Sequence, residues 1–203
     1  MYEVPRMLWR NGGDLRELRA NYGALLRYCA FLSTMAVDGI VNFGLGDWCA
    51  PFEGKAVTAN MASFKCPVAV SDTAYTYAAV HFAAECAEKL GQARDAQRLS
   101  AQAQAVKTAF REKLYDPWEH LVQGDCQTAT AMMVFHGLAE AEEIPALVAK
   151  LMQQIERDGG KLDFGVLGMK AVLNTLGQNG QASLALDMLT REEYPSLTHW
   201  MRQ

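Results

Sequence analysis

Leu15, Leu18, Tyr22, Leu25, Leu26, Cys29 and Leu32 fall at intervals of three and four, the spacing of a helix with one apolar face, and Asp14 stands where that helix would begin. The pattern then breaks down from about residue 37 to residue 70, a stretch that carries Pro51, Gly54 and Pro67. Periodicity returns over residues 74–90, with Ser71 and Asp72 placed as an N-cap pair and Gly91 as the stop. A third helix is predicted over residues 92–115, where Ala96, Leu99, Ala103, Val106, Phe110 and Leu114 share one side and Asp116-Pro117 ends the run. His120-Leu121-Val122 reads as a short extended piece, and Asp125 as the cap of a fourth helix over residues 127–140. Pro145 suits the first turn of a fifth helix that runs to Arg157, and Gly159-Gly160 makes the next turn. Residues 165–176 and 181–191 complete a set of seven predicted helices.

Short and long connections alternate between these helices, which predicts antiparallel helix pairs in an all-α domain spanning residues 1–203. Stacked pairs of this kind either curl into a solenoid or close into an (α/α) toroid. In both cases the longer loops gather on one face, the expected binding face. The irregular stretch between residues 37 and 70 is the longest of them, and structureless loops of that length in helical domains are more often functional than idle.

Bulk composition narrows the partners. Half of the 203 residues are hydrophobic, 21% are charged and the net charge is −4, an ordinary globular balance with no basic surface for nucleic acid. Five cysteines, Cys29, Cys49, Cys66, Cys86 and Cys126, are widely spaced and odd in number, a pattern of reduced thiols rather than a disulfide framework. The first residues lack the apolar core of a secretory leader, and the most apolar stretch, residues 28–41, is interrupted by Asp38 and too short for a bilayer. A cytoplasmic location and no membrane partner are therefore expected.

Most kinds of chemistry find no motif. His81, His120, His136 and His199 are scattered; His81 and Glu85 lie one helical turn apart, where a pair on a helix flank is the ordinary outcome, so no metal is expected. No nucleophile elbow or phosphate loop is present, and Gly44-Leu45-Gly46 lacks the third glycine and the strand–helix setting of a dinucleotide site, so no cofactor is expected. What remains is a scatter of carboxylates and aromatics in loops or caps: Asp47, Trp48, Glu53, Asp72, Asp125, Asp163, His199 and Trp200. Asp72 and Asp125 read as helix caps, Glu53 as a solvated charge and Asp163 as a turn residue. Asp47-Trp48 and His199-Trp200 are different. Each couples a hydrogen-bonding side chain to a large flat ring, a combination that fits a sugar.

The order of short segments carries a resemblance. Gly13-Asp14-Leu15, Asn21-Tyr22, Asp38-Gly39, Gly44-Leu45-Gly46-Asp47-Trp48, Ser71-Asp72-Thr73-Ala74-Tyr75, Gln127-Thr128-Ala129, Asp163-Phe164-Gly165-Val166-Leu167-Gly168 and Tyr194-Pro195-Ser196 with His199-Trp200 follow one another over nearly the whole chain. The series resembles the later part of the catalytic domain of bacterial α-L-rhamnosidases of glycoside hydrolase family 78.

That resemblance implies part of an (α/α)6 toroid, which needs twelve helices where seven are predicted here. It also implies inverting hydrolysis of terminal α-L-rhamnosides, in which an acid and a base roughly 6.5–9.5 Å apart leave room for the attacking water. The family's acid lies upstream of the Gly-Asp-Trp loop and its base glutamate just beyond the segment matching residues 194–200. No residue of this chain carries over to either role, so the catalytic residues are unassigned and little activity is expected of the chain alone. Asp47, Trp48, His199 and Trp200 carry over as substrate contacts. Two alternatives stand beside this reading: another toroid glycosidase pairing Asp47 with a second aspartate, and a non-catalytic helical module. A partial toroid would expose helix edges, from which a homo-oligomer is expected.

Overall fold

In the computed structural model, which describes residues 2–51 and 65–203, local sequence signals set most helix ends. Helix α1 (Glu3–Gly12) stops at Gly13, whose φ of 66° lets its N–H close back on the Trp9 carbonyl. Helix α2 (Leu15–Met35) starts at Asp14, whose carboxylate accepts from the Arg16 N–H, and buries Leu18, Leu25, Cys29 and Leu32. A two-residue hairpin follows, β1 (Ala36–Val37) with β2 (Ile40–Val41), turning through Asp38 and Gly39 at φ of 50° and 81°. Two positive φ angles in an Asp-Gly pair make a type I′ turn, so the stretch predicted as irregular opens with regular structure.

Helix α3 (Val68–Lys89) begins three residues ahead of its predicted cap, behind Pro67. Ser71 and Asp72 lie inside its first turns, because both neighbouring polar side chains are used elsewhere: Asp72 holds the backbone at residues 43 and 44, and the Thr73 hydroxyl accepts from the Val41 N–H. Alanines on several sides let this helix be buried nearly all round. Helix α4 (Ala93–Leu114) returns antiparallel and leads into a second hairpin, β3 (Tyr115–Asp116) with β4 (Leu121–Val122). Helix α5 (Gln127–Phe135) ends short of its predicted length, because Gly137 takes a left-handed φ of 80°; a 3-10 turn over Ala141–Glu143 then enters α6 (Ile144–Arg157). Asp125 does not cap α5; it sits at φ 42° and pairs with Arg157 instead. Helices α7 (Val166–Gln178), α8 (Ala182–Thr190) and α9 (Leu197–Met201) complete the described chain.

Packing sorts the helices into two layers. Helices α3, α5 and α7 pack side by side, Tyr2 and Trp9 bring α1 against Phe82 of α3, and α2, α4, α6 and α8 back them as an outer row. Four antiparallel pairs thus form an arc of the expected (α/α)6 toroid, with Phe82, Phe110, Met132, Leu147 and Leu176 in the core between rows. Turns from inner to outer helices are mostly short. The outer-to-inner connections are longer in sequence; residues 115–126, 158–165 and 191–196, with the described parts of the connection between α2 and α3 (residues 36–51 and 65–67), collect at the end where the inner helices begin. Every described aromatic or acid singled out as a sugar contact lies on those connections or on α9. Among the described residues, no helix is long and apolar enough to cross a membrane, and the five cysteines are free.

Candidate functional site

Gly44-Leu45-Gly46-Asp47-Trp48 is fixed at both ends. At its root the N–H groups of Phe43 and Gly44 donate to Asp72 Oδ2 at 3.2 and 2.6 Å, and a side chain at Gly44 would collide with that carboxylate. Burial raises the Asp72 carboxyl above its usual value, against the pull of those two N–H donors. Gly46 supplies a φ of 66° that turns the chain inward.

Asp47 then enters the protein. It is 3% exposed and accepts four hydrogen bonds: the Thr128 hydroxyl at 2.5 Å and the Gly165 N–H at 2.8 Å on Oδ2, and the Leu167 and Gly168 N–H groups at 2.9 and 2.8 Å on Oδ1. The Val166 N–H donates to the Trp48 carbonyl at 2.8 Å. The four unpaired donors at the start of α7 are therefore all satisfied by two residues about 120 positions away, and the carboxylate faces the positive end of the helix. This close approach explains the glycines of the Gly165-Val166-Leu167-Gly168 segment: an added Cβ at Gly165 would strike the Trp48 and Asp47 carbonyls, and one at Gly168 the Thr128 hydroxyl and Asp47. With some four lone-pair positions and four donors, Asp47 has no acceptor to spare for a sugar hydroxyl. What it fixes is Trp48, whose indole stays 44% exposed on the loop face.

His199 and Trp200 sit on α9, whose first turn is capped by the Ser196 hydroxyl accepting from the His199 N–H at 2.9 Å. The Tyr194 ring meets both edge-on, with centroids 5.6 Å from His199 and 6.3 Å from Trp200. His199 Nδ1 lies 3.3 Å from the Glu192 carbonyl, and Trp200 is 41% exposed. Trp48 thus stands on the connection that follows α2 and Trp200 on α9, and no hydrogen bond or ring contact joins them among the described residues.

The remaining sequence candidates are engaged in other ways. Asp125 takes Gln154 at 3.0 Å and Arg157 at 2.6 Å; burial works against its charge, but these donors outweigh it and hold its carboxyl below the usual range. Asp163 pairs with Lys65. His81 lies 3.9 Å from Glu85 on the flank of α3 and stacks on Tyr77. Glu53 lies outside the described residues.

Glu3 was not singled out by the sequence. It stands at the start of α1, 2.7 Å from Lys170 of α7 and 4.0 Å from Arg6, beside Tyr2, Tyr75 and His136. Burial opposes its charge, yet the Lys170 ammonium prevails and lowers its carboxyl. Glu3 Oε1, the Tyr2 hydroxyl and His136 Nε2 are buried without a hydrogen-bond partner among the described residues. The available signal was the amphipathic spacing of Val4, Met7 and Leu8 around Pro5, which marks an unrecognised first helix.

Comparison with known proteins follows the same lines. All 203 residues match the model of the bacterial alpha-L-rhamnosidase 6 hairpin glycosidase domain. An alpha-L-rhamnosidase of Alteromonas sp. (strain LOR) is 25% identical over 198 residues, covering 95% of this chain and 21% of the relative. One from Formosa agariphila is 28% identical over 174 residues, covering 84% and 18%. Among solved structures, the Streptomyces avermitilis alpha-L-rhamnosidase complexed with L-rhamnose superimposes with a TM-score of 0.85 at 23% identity, over 98% of this chain and 18% of that one. The Aspergillus terreus alpha-L-rhamnosidase gives 0.83 at 19% identity, over 94% and 22%. The chain spans about a fifth of the length of the relatives it matches.

Proposed function

Because the chain belongs to the bacterial α-L-rhamnosidase six-hairpin glycosidase family, we propose that it forms the sugar-holding wall of a glycoside hydrolase domain acting on terminal α-L-rhamnosides. In this reading Trp48 and Trp200 offer flat faces to the sugar, and His199 supplies a hydrogen bond to a hydroxyl. Asp47 acts one step back, as the strut that sets Trp48. The observation that carries the reading is the capping of α7 by residues 47 and 48, which anchors the backbone of the exposed Trp48 on the loop face. An anchored backbone leaves only the side chain to be ordered when a ligand binds, which lowers the entropic cost.

Hydrolysis in the parent family is inverting and needs two carboxylates facing each other across a water. Asp47, Asp72, Asp125 and Asp163 are each committed to backbone or cationic partners, which argues against a new acid–base pair among them. We therefore assign the chain substrate contact rather than proton transfer, with little or no hydrolysis when it is isolated. Titration of the 203-residue chain with L-rhamnose tests this. Wild type is expected to bind, and Trp48→Ala to weaken binding about five- to tenfold with folding intact. Robust hydrolysis of an aryl rhamnoside by the isolated chain, unchanged by Trp48→Ala, would overturn the assignment.

A second, compatible reading concerns the ends of the arc. Val4, Met7 and Leu8 on α1 are 66, 57 and 48% exposed, and Leu186 on α8 and Met201 on α9 are 58 and 87% exposed. Apolar edges of this kind favour association, so the isolated chain is proposed to be a homodimer or larger. Light scattering that shows a monomer at micromolar concentration removes this proposal.

A further inference from the structure

The hairpin of β3 and β4 carries the most exposed tryptophan of the chain. Trp118 is 91% exposed, and no other ring stands against it among the described residues. The turn beneath it is nonetheless stiff. Asp116 Oδ1 accepts from the Trp118 N–H at 2.9 Å and the Glu119 N–H at 3.3 Å, and Pro117 fixes the backbone between them. Across the hairpin the Tyr115 hydroxyl meets His120 Nδ1 at 2.9 Å, and Arg111 lies over the Tyr115 ring at 5.4 Å. The indole contributes nothing to the core, yet the backbone beneath it is fixed by two hydrogen bonds to Asp116.

Its surroundings say what it suits. Its chain neighbours Asp116, Glu119 and His120 are polar and Pro117 is the one apolar residue beside it, so it is a single exposed flat ring rather than the centre of an apolar patch. Protein-binding hot spots cluster with other apolar groups, whereas an isolated ring beside hydrogen-bonding side chains matches a sugar, which has an apolar face and a hydroxylated rim. Below the hairpin lies an open groove of about 350 Å³, lined in part by Lys113, Tyr115, Asp116, Gln123 and Asp125, which adds donors and acceptors.

Position ties this ring to the proposed sugar wall. The hairpin is an outer-to-inner connection, as is the segment that carries Trp48, and α9 with Trp200 follows another such connection. It runs through residues 123–126 into α5, whose first turn carries Thr128, the donor to Asp47. Gly124 packs against Pro67 and Lys65, and Lys113 donates to the Asp38 carbonyl of the first hairpin at 2.8 Å, so the face is continuous.

We propose that Trp118 is a second carbohydrate platform, which stacks on the saccharide that bears the terminal sugar and selects an oligosaccharide over a small aglycone. The inference rests on the rhamnoside reading above and extends it along the loop face.

The 203-residue chain is titrated by calorimetry with L-rhamnose and with an α-L-rhamnosyl-terminated hexasaccharide. Wild type is expected to bind the hexasaccharide at least fivefold tighter than the monosaccharide. Trp118→Ala should raise the hexasaccharide Kd about five- to tenfold, leave the L-rhamnose Kd within about twofold, and Trp118→Phe should recover most of the loss. Unchanged melting temperatures are expected, since the ring is outside the core. A hexasaccharide Kd that ignores Trp118→Ala, or that equals the L-rhamnose Kd in wild type, overturns the platform and leaves the rhamnose wall standing. Hexasaccharide binding that depends on Trp118 without any L-rhamnose binding keeps the platform and removes the rhamnose wall. Binding of neither ligand removes both.

Discussion

The Thr128 hydroxyl, in the first turn of α5, donates to Asp47 Oδ2 at 2.5 Å, joining residues 81 positions apart and completing the ring of donors around that carboxylate. Three of the four donors are backbone N–H groups at the start of α7, so one side chain links a loop to two inner helices. Asp47→Asn keeps the size but turns an amide N–H₂ toward groups that also donate. It is expected to cost about 2–4 kcal/mol and to lower Tm by roughly 5–15 °C. Thr128→Val keeps the shape and removes one donor, for about 1–2 kcal/mol. Thermal melts rank the two. If Asp47→Asn melts like wild type and only loses sugar affinity, Asp47 is a direct contact and not a strut.

Two glycines of the same short stretch of chain should respond in opposite directions. Gly165 sits at φ −90°, where alanine is conformationally acceptable, but its Cβ would overlap the carbonyl oxygens of Asp47 and Trp48. Gly165→Ala is expected to cost about 2–3 kcal/mol and to weaken L-rhamnose binding, because Trp48 must move. Gly177, exposed near the end of α7, has nothing within 4 Å of an added Cβ. Gly177→Ala should stabilise by about 0.5–1 kcal/mol through helix propensity and a less free unfolded chain. Urea midpoints of both variants check the pair, and equal signs would show that the loop contact is softer than the geometry indicates.

Several helix ends were legible because their signals are local: Asp14 caps α2, Gly91 follows the end of α3, and Pro145 opens α6 where a proline costs nothing. The errors occur where a side chain serves a distant partner. Asp72 and Asp125 look like caps in sequence, and both were diverted, one to the backbone at residues 43 and 44 and the other to Arg157. The Asp38-Gly39 turn was a readable hairpin signal that two-residue strands gave too little pattern to support. For the site, the exposed Trp48 was visible as a candidate, but the partners of Asp47 lie at residues 128 and 165–168 and no local spacing points to them. Glu3 was hidden for a related reason, since its cation belongs to α7.

His136 predicts an acid-sensitive step. It lies between Tyr75 and Phe135, with ring centroids 4.7 and 4.9 Å away, and burial pushes its pKa down to about 3 from an ordinary 6.5. The unfolded chain therefore binds a proton that the folded protein refuses. The neutral ring's contribution is whole above pH 6.5 and is lost as the pH falls from there toward 3. Between pH 7.5 and pH 5 the loss should be about 2 kcal/mol. Glu143 titrates in a different window. The Arg111 guanidinium, bonded to it at 2.6 and 2.9 Å, is the main reason its pKa is lowered to about 2, so its contribution is present above pH 4.5 and fades only below that. Asp72, raised by burial, works in the opposite sense and cannot produce the loss. Urea denaturation at pH 7.5 and pH 5 should accordingly show a drop in wild type that His136→Phe abolishes and Glu143→Gln leaves intact. A drop that survives His136→Phe would assign the acid sensitivity to another group.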